Sequence, residues 1–124
     1  MRRTGPTNIY IRKLIGLLKK KYKEHGAKVW RATANLLEYP RRKRIEVNVG
    51  KISRIYDNLE IKPKIIIVPG VVLGHGDIKS PITVAALRFT KKARKKIESL
   101  GGKCLSLYDA MEMNPNGSNT IILR

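Results

Sequence analysis

The sequence predicts a single α/β domain. Two amphipathic helical patterns open the chain, β-branched runs follow, and caps and Pro or Gly breaks then make strands alternate with short helices. At 124 residues and 42% hydrophobic content, the chain is long enough for one packed core and too apolar for a disordered tail.

Thr7 or Asn8 caps the first helix, in which Ile11, Leu14, Ile15, Leu18 and Tyr22 fall within an arc of about 100°. Arg12, Lys13, Lys19, Lys20 and Lys23 collect on the opposite side within about 120°. Glu24 is the only acid there, whereas helices built for solubility interleave acids with their lysines. Gly26 ends this helix. The second runs from Lys28 to Glu38, with Val29, Thr33, Leu36 and Leu37 facing inward and Pro40 as its stop. Trp30, in register with these apolar residues, is expected to anchor the core between the two helices rather than to stack on a base.

From Ile45 the period becomes two, and Ile45, Val47 and Val49 read as the inward side of a half-buried strand. A short helical turn over Lys51 to Tyr56 and a loop over Asp57 to Pro63 follow. Ile65 to Val68 is a strand covered on both faces and stopped by Pro69-Gly70, with a further short strand over Val71 to Leu73. Ile82 to Phe89 is a strand, and Thr90 caps a helix over Lys91 to Leu100 with Ala93, Ile97 and Leu100 inward and Gly101-Gly102 at its end. Lys103 to Leu105 reads as a strand, Ser106 to Met113 as a short helix, Asn114 to Gly117 as a turn, and Asn119 to Leu123 as a last strand.

Charge carries the functional signal. Against 9 Asp+Glu stand 27 Lys+Arg, a formal net charge of +18, and such a surface repels itself and attracts polyanions. Residues 1–54 hold 16 of the cations and 3 of the acids. Arg41, Arg42, Lys43 and Arg44 follow a helix end with no acid to offset them, which favours a phosphate contact. Lys91 and Lys92 sit in the first turn of a helix, where the macrodipole disfavours cations. No apolar run is long enough for a membrane span, no signal-peptide pattern is present, and one cysteine, Cys104, suits a reducing compartment. With two histidines, His25 and His75, a structural metal is not expected.

The segment Leu73-Gly74-His75-Gly76-Asp77-Ile78 is the one stretch that could pass for an active site. Its Gly-x-Gly fails the dinucleotide fingerprint because Lys79 stands where the third glycine belongs. His75 and Asp77 have no neighbouring serine or cysteine nucleophile. Two readings remain open: a tight glycine turn, or a backbone that approaches a phosphate closely with Lys79 alongside.

The order of motifs is specific. A basic helix and a tryptophan helix lead to Pro40-Arg41-Arg42-Lys43-Arg44. Glu46-Val47-Asn48-Val49-Gly50-Lys51-Ile52, Val68-Pro69-Gly70-Val71-Val72-Leu73-Gly74-His75-Gly76 and Ile82-Thr83-Val84-Ala85-Ala86 follow. Gly101-Gly102 and Asn114-Pro115-Asn116-Gly117 complete the series. The whole chain resembles the eighteen-e family of archaeal and eukaryotic large-subunit ribosomal proteins, whose core is similar to the bacterial fifteenth large-subunit protein. Its short length is similar to that of archaeal members, and Gly50 stands where many relatives are expected to carry serine.

The resemblance implies one domain over 1–124, with a basic helical N-terminal segment over 1–44 and an α/β core over 45–124 made of irregular, superhelical strand-strand-helix turns. It implies a cytoplasmic ribosomal component without cofactor, metal, membrane or small-molecule substrate, whose partners are large-subunit ribosomal RNA and neighbouring ribosomal proteins. RNA contact is expected at Arg2, Arg3, Arg12, Lys13, Lys19, Lys20, Lys23, Arg41, Arg42, Lys43, Arg44, Lys51, Arg54, Gly74, His75, Gly76 and Lys79. The rival expectations are a chromatin-like DNA-binding protein and a small RNA-modifying enzyme acting at His75 and Asp77.

Overall fold

The computed structural model describes residues 9–38 and 45–124. Within them the chain runs α1 (Ile9–His25), α2 (Lys28–Leu37), β1 (Ile45–Asn48), α3 (Val49–Asn58), β2 (Ile65–Leu73), β3 (Thr83–Phe89), α4 (Lys91–Ser99), β4 (Lys103–Ser106), α5 (Leu107–Met113) and β5 (Thr120–Ile122). The α/β class read from the sequence is the one observed. The expected caps at Thr7 and Asn8 and the stop at Pro40 lie outside the described residues.

One sheet organises these elements, and every strand pairing in it is parallel. The order is β1-β2-β3-β4, and β5 joins the edge of β2 away from β3, below β1. Parallel strands need coverage on both faces. Ile65, Ile67 and Ala85 face α1, α2 and α5, in a cluster with Leu14, Leu18, Trp30, Leu37 and Leu107. Ile66, Val68, Val72, Val84 and Ala86 face α3 and α4 through Val49, Ile52, Ala93 and Ile97. The period-two alternation of β2 and β3 thus divides the core into two layers with helices outside each.

Local chemistry sets the helix ends. The Gly26 N–H donates to the Tyr22 carbonyl at 2.7 Å, and α2 starts two residues later. Thr90 Oγ1 accepts the Ala93 N–H at 3.2 Å, and Ser106 Oγ accepts the Asp109 N–H at 3.1 Å, so α4 and α5 are side-chain capped. Trp30 is fully buried and its Nε1–H donates to the Pro115 carbonyl at 2.8 Å, the core anchor expected. Asn114 holds that loop by donating from Nδ2 to the Ser118 carbonyl at 2.7 Å and to Thr120 Oγ1 at 2.9 Å.

Four local expectations are corrected. Pro69-Gly70 does not stop the strand, because β2 continues to Leu73 and takes up the break as a register shift against β3 between Val68 and Val71. Gly70 is needed there: a Cβ would lie 1.9 Å from the Ile45 carbonyl oxygen, so glycine lets β1 pair alongside. Val49 begins α3 instead of ending β1. The inward stripe of α2 is Trp30, Ala34 and Leu37 with Thr33, leaving Leu36 and Val29 half-buried. Leu100 lies past the last turn of α4 and is exposed.

Two outcomes follow from this packing. Leu14 is fully buried in α1, so Leu14→Ala is expected to destabilise the fold by about 2–5 kcal/mol, read from denaturant unfolding. Half-burial in β4, opposed by Arg94 and reinforced by Glu98, pushes the Cys104 thiol up to about 11. Only roughly a thousandth of it is then thiolate at pH 8. Its alkylation is expected to be far slower at pH 8 than that of a free cysteine, and to rise about tenfold per pH unit until near the thiol's own midpoint.

Candidate nucleic-acid interface

The stripe of apolar residues on α1 forces its cations outward. Ile11, Leu14, Ile15 and Leu18 are buried, while Arg12, Lys13, Lys19, Lys20 and Lys23 are all exposed, as the helical wheel requires. Lys19 Nζ meets Glu38 Oε2 at 2.8 Å across the α1–α2 corner. Both partners are about half exposed, and such pairs contribute at most about 1 kcal/mol. Among the described residues, carboxylates lie within salt-bridge reach of only Lys19, Arg94 and Lys96. The other described cations face solvent or backbone carbonyls with their charge unneutralised by a carboxylate.

A second group gathers where β1, β2 and β3 end. Because all strands point the same way, this one end of the sheet collects the Gly74–Lys79 turn and the first turns of α3 and α4. The turn is fastened from both sides. The Gly50 N–H donates to the His75 carbonyl at 3.0 Å, and the His75 N–H donates to Asn48 Oδ1 at 3.3 Å. Lys96 Nζ donates to the Gly74 carbonyl at 2.9 Å and also to that of Gly76, and lies 3.8 Å from Asp77 Oδ1.

Gly76 has φ +90°, and a Cβ there would sit 2.6 Å from Gly50 Cα. The glycines therefore allow the turn to pack on α3, and Gly74 is itself buried beneath Lys92. The tight glycine turn expected from the sequence is observed. The His75 N–H is taken by Asn48 Oδ1, and the carbonyls of Gly74 and Gly76 by Lys96. What the turn offers outward are the exposed side chains of His75, Asp77 and Lys79.

On α3, Arg54 is exposed, while Lys51 is half-buried and its Nζ donates to the Arg124 carbonyl at 2.9 Å. The structure thus brings the α1 cations together on one face of the sheet. It puts Lys51 and Arg54 on the opposite face, and the turn at the sheet's end. Arg2, Arg3, Arg41, Arg42, Lys43 and Arg44 lie outside the described residues. No group of His, Cys, Asp or Glu among the described residues is placed to hold a metal ion.

Two features escaped the sequence reading. On α4, Arg94 and Lys95 are exposed beside Lys91 and Lys92, so the cationic surface extends along the whole helix. On α2, the Arg31 guanidinium lies over the Tyr22 ring, 5.5 Å from its centroid. The two share a groove of about 310 Å³ with Lys19, Lys23 and Asn35. Nine positions separate Tyr22 from Arg31, and only the fold of α1 against α2 joins them; the sole sequence signal is a lone arginine on the polar side of an apolar helix.

The chain is similar throughout to known proteins. Residues 1–124 match the family model described as ribosomal protein 60S L18 and 50S L18e. The large ribosomal subunit protein eL18 of Methanopyrus kandleri is 50% identical over 116 residues, covering 93% of this chain and 91% of the relative. The same-named protein of Sulfolobus acidocaldarius is 47% identical over 120 residues, covering 96% and 95%. That of Sulfurisphaera tokodaii is 42% identical over 123 residues, covering 98% and 97%.

The glycine turn generates a direct comparison of variants. Gly76→Ala must place a Cβ at positive φ against the Gly50 backbone, and is expected to cost more than about 1 kcal/mol in unfolding experiments. His75→Ala, at an exposed position, is expected to change stability by less than about 0.5 kcal/mol.

Proposed function

The chain belongs to the family of ribosomal protein 60S L18 and 50S L18e, and on that premise we propose that it is a structural component of the large ribosomal subunit that binds and stabilises folded ribosomal RNA through phosphate contacts. The observation that carries this reading is a net charge of +18 with so few carboxylate partners for its cations. In a polyanion complex the phosphates supply the missing counter-charge. Each phosphate neutralised releases condensed counterions, which drives association.

The protein is structural and not an enzyme, as its family is. No helix among the described residues is long and apolar enough to cross a membrane. The protein's family gives its place as the ribosome, in the cytoplasm. Its partners are large-subunit RNA and the ribosomal proteins that adjoin it there. Arg12, Lys13, Lys20, Lys23, Arg54 and Lys79 are the exposed cations proposed for phosphate contact, together with Arg2, Arg3 and the Arg41 to Arg44 cluster. Lys19 and Lys51 act from fixed positions, held by Glu38 and by the Arg124 carbonyl. Gly74 and Gly76 serve the interface by shaping the turn that presents His75 and Lys79. A rigid basic domain of this kind recognises shape, since folded RNA presents phosphates and 2′-hydroxyls at fixed spacings.

Binding to a large-subunit RNA fragment tests this. With about eight phosphates neutralised, log K against log salt is expected to have a slope near −7, using the duplex coefficient. A slope shallower than −2 contradicts the reading, and preference for duplex DNA over the RNA at equal concentration supports a chromatin-like protein instead. Lys13→Gln with Lys20→Gln is expected to weaken RNA binding and flatten the slope by about 2, while stability stays within about ±0.5 kcal/mol.

A further inference from the structure

We propose that the groove between α1 and α2 receives one unstacked nucleotide of the bound RNA, with its base against the outer face of the Arg31 guanidinium and its phosphate on Lys23. The inference deepens the RNA-binding reading above and rests on it. Phosphates alone require only exposed cations, as at Arg12 and Lys13 on α1. This groove is different in kind.

It is concave, at about 310 Å³ comparable with the smaller ligand sites. Its floor is a cation–π pair: the Tyr22 ring is half-buried, the Arg31 guanidinium lies over it 5.5 Å from the centroid, and Arg31 is itself exposed. A flat, delocalised cation held over a ring is a platform for a further π system, and splayed-out RNA bases stack on arginine planes as they do on aromatic rings. At the rim, the Lys19 ammonium is held by Glu38, whereas Lys23 has no carboxylate in salt-bridge reach among the described residues. Lys23 is thus the cation available to the nucleotide's phosphate. Asn35 is exposed and lines the same groove, and its amide offers a donor and an acceptor to a base edge.

The neighbouring groove provides the contrast. At about 470 Å³ it is larger, but Glu24 and Glu112 line it and offset its Lys20 and Lys21, whereas among the described residues the lining of the Arg31 groove includes cations and no acid.

The experiment compares the protein's affinity for hexaadenylate with that for an abasic ribose-phosphate hexamer of equal charge, beside a folded large-subunit RNA fragment. Hexaadenylate is expected to bind at least about fivefold tighter than the abasic strand, the effect of one stacked base. Arg31→Lys keeps the charge and removes the plane, so it is expected to abolish that preference and leave abasic affinity unchanged. Lys13→Gln, outside the groove, is expected to lower both affinities equally and keep the preference. Equal affinity of the wild-type protein for the two hexamers, failure to bind either, or a preference that survives Arg31→Lys overturns the proposal. Should folded RNA still bind with a steep salt slope in those cases, only the groove assignment fails; if folded RNA also fails to bind, the broader reading fails with it.

Discussion

The central strand β2 cannot face water on either side, and the rest of the molecule is arranged around that constraint. Ile65, Ile66, Ile67 and Val68 are each at most 2% exposed, with alternate side chains entering different cores. Helices must then cover both faces, and each helix that does so turns its other side outward. The cations of α1, α3 and α4 occupy those outer sides. Burial of an uncharged strand at the centre is what distributes charge over two surfaces and one end of the sheet.

Such a distribution is costly to the isolated protein. Like charges repel, and few acids stand near enough to offset them. The fold meets this repulsion with apolar contacts and with hydrogen bonds that employ cations as donors to carbonyls. Lys96 fastens the Gly74–Gly76 turn, Lys51 holds the Arg124 carbonyl, and Lys62 donates to the carbonyls of Tyr56 and Asp57. A cation used this way orders the chain through backbone oxygens. Of the three, only Lys96 also has a side-chain carboxylate in reach among the described residues, that of Asp77, so most of the net charge stays available to a polyanion.

Patterning made most elements legible in the sequence, since burial follows period 3.6 in α1 and the unbroken β-branched run of β2 is buried on both faces. The errors arose where a local signal met a tertiary demand. Pro69-Gly70 has the chemistry of a stop, yet neighbouring strands on both edges carry β2 through it. Val49 alternates with Val47 and Ile45, but the chain turns into α3 before the pattern ends. For the interface, the exposed cations of α1 followed from the wheel. The tight glycine turn was legible but its packing partners were not, because Gly50 and Lys96 reach it from distant segments. Arg31 and Tyr22 become neighbours only once two helices pack.

The bond from Trp30 to the Pro115 carbonyl spans 85 residues, and it joins the earliest helices to one of the last loops. A ribosome adding about 5–20 residues per second delivers the indole roughly 4–17 seconds before its acceptor. Over that interval β5 is also missing from the edge of β2, where Ile65 to Ile67 await Thr120 to Ile122. The nascent chain therefore holds its apolar helix faces and its positive charge together in the open, beside the RNA of the ribosome that makes it. Its order of synthesis makes self-completion a late event, and favours whatever shields those helices until the loop arrives.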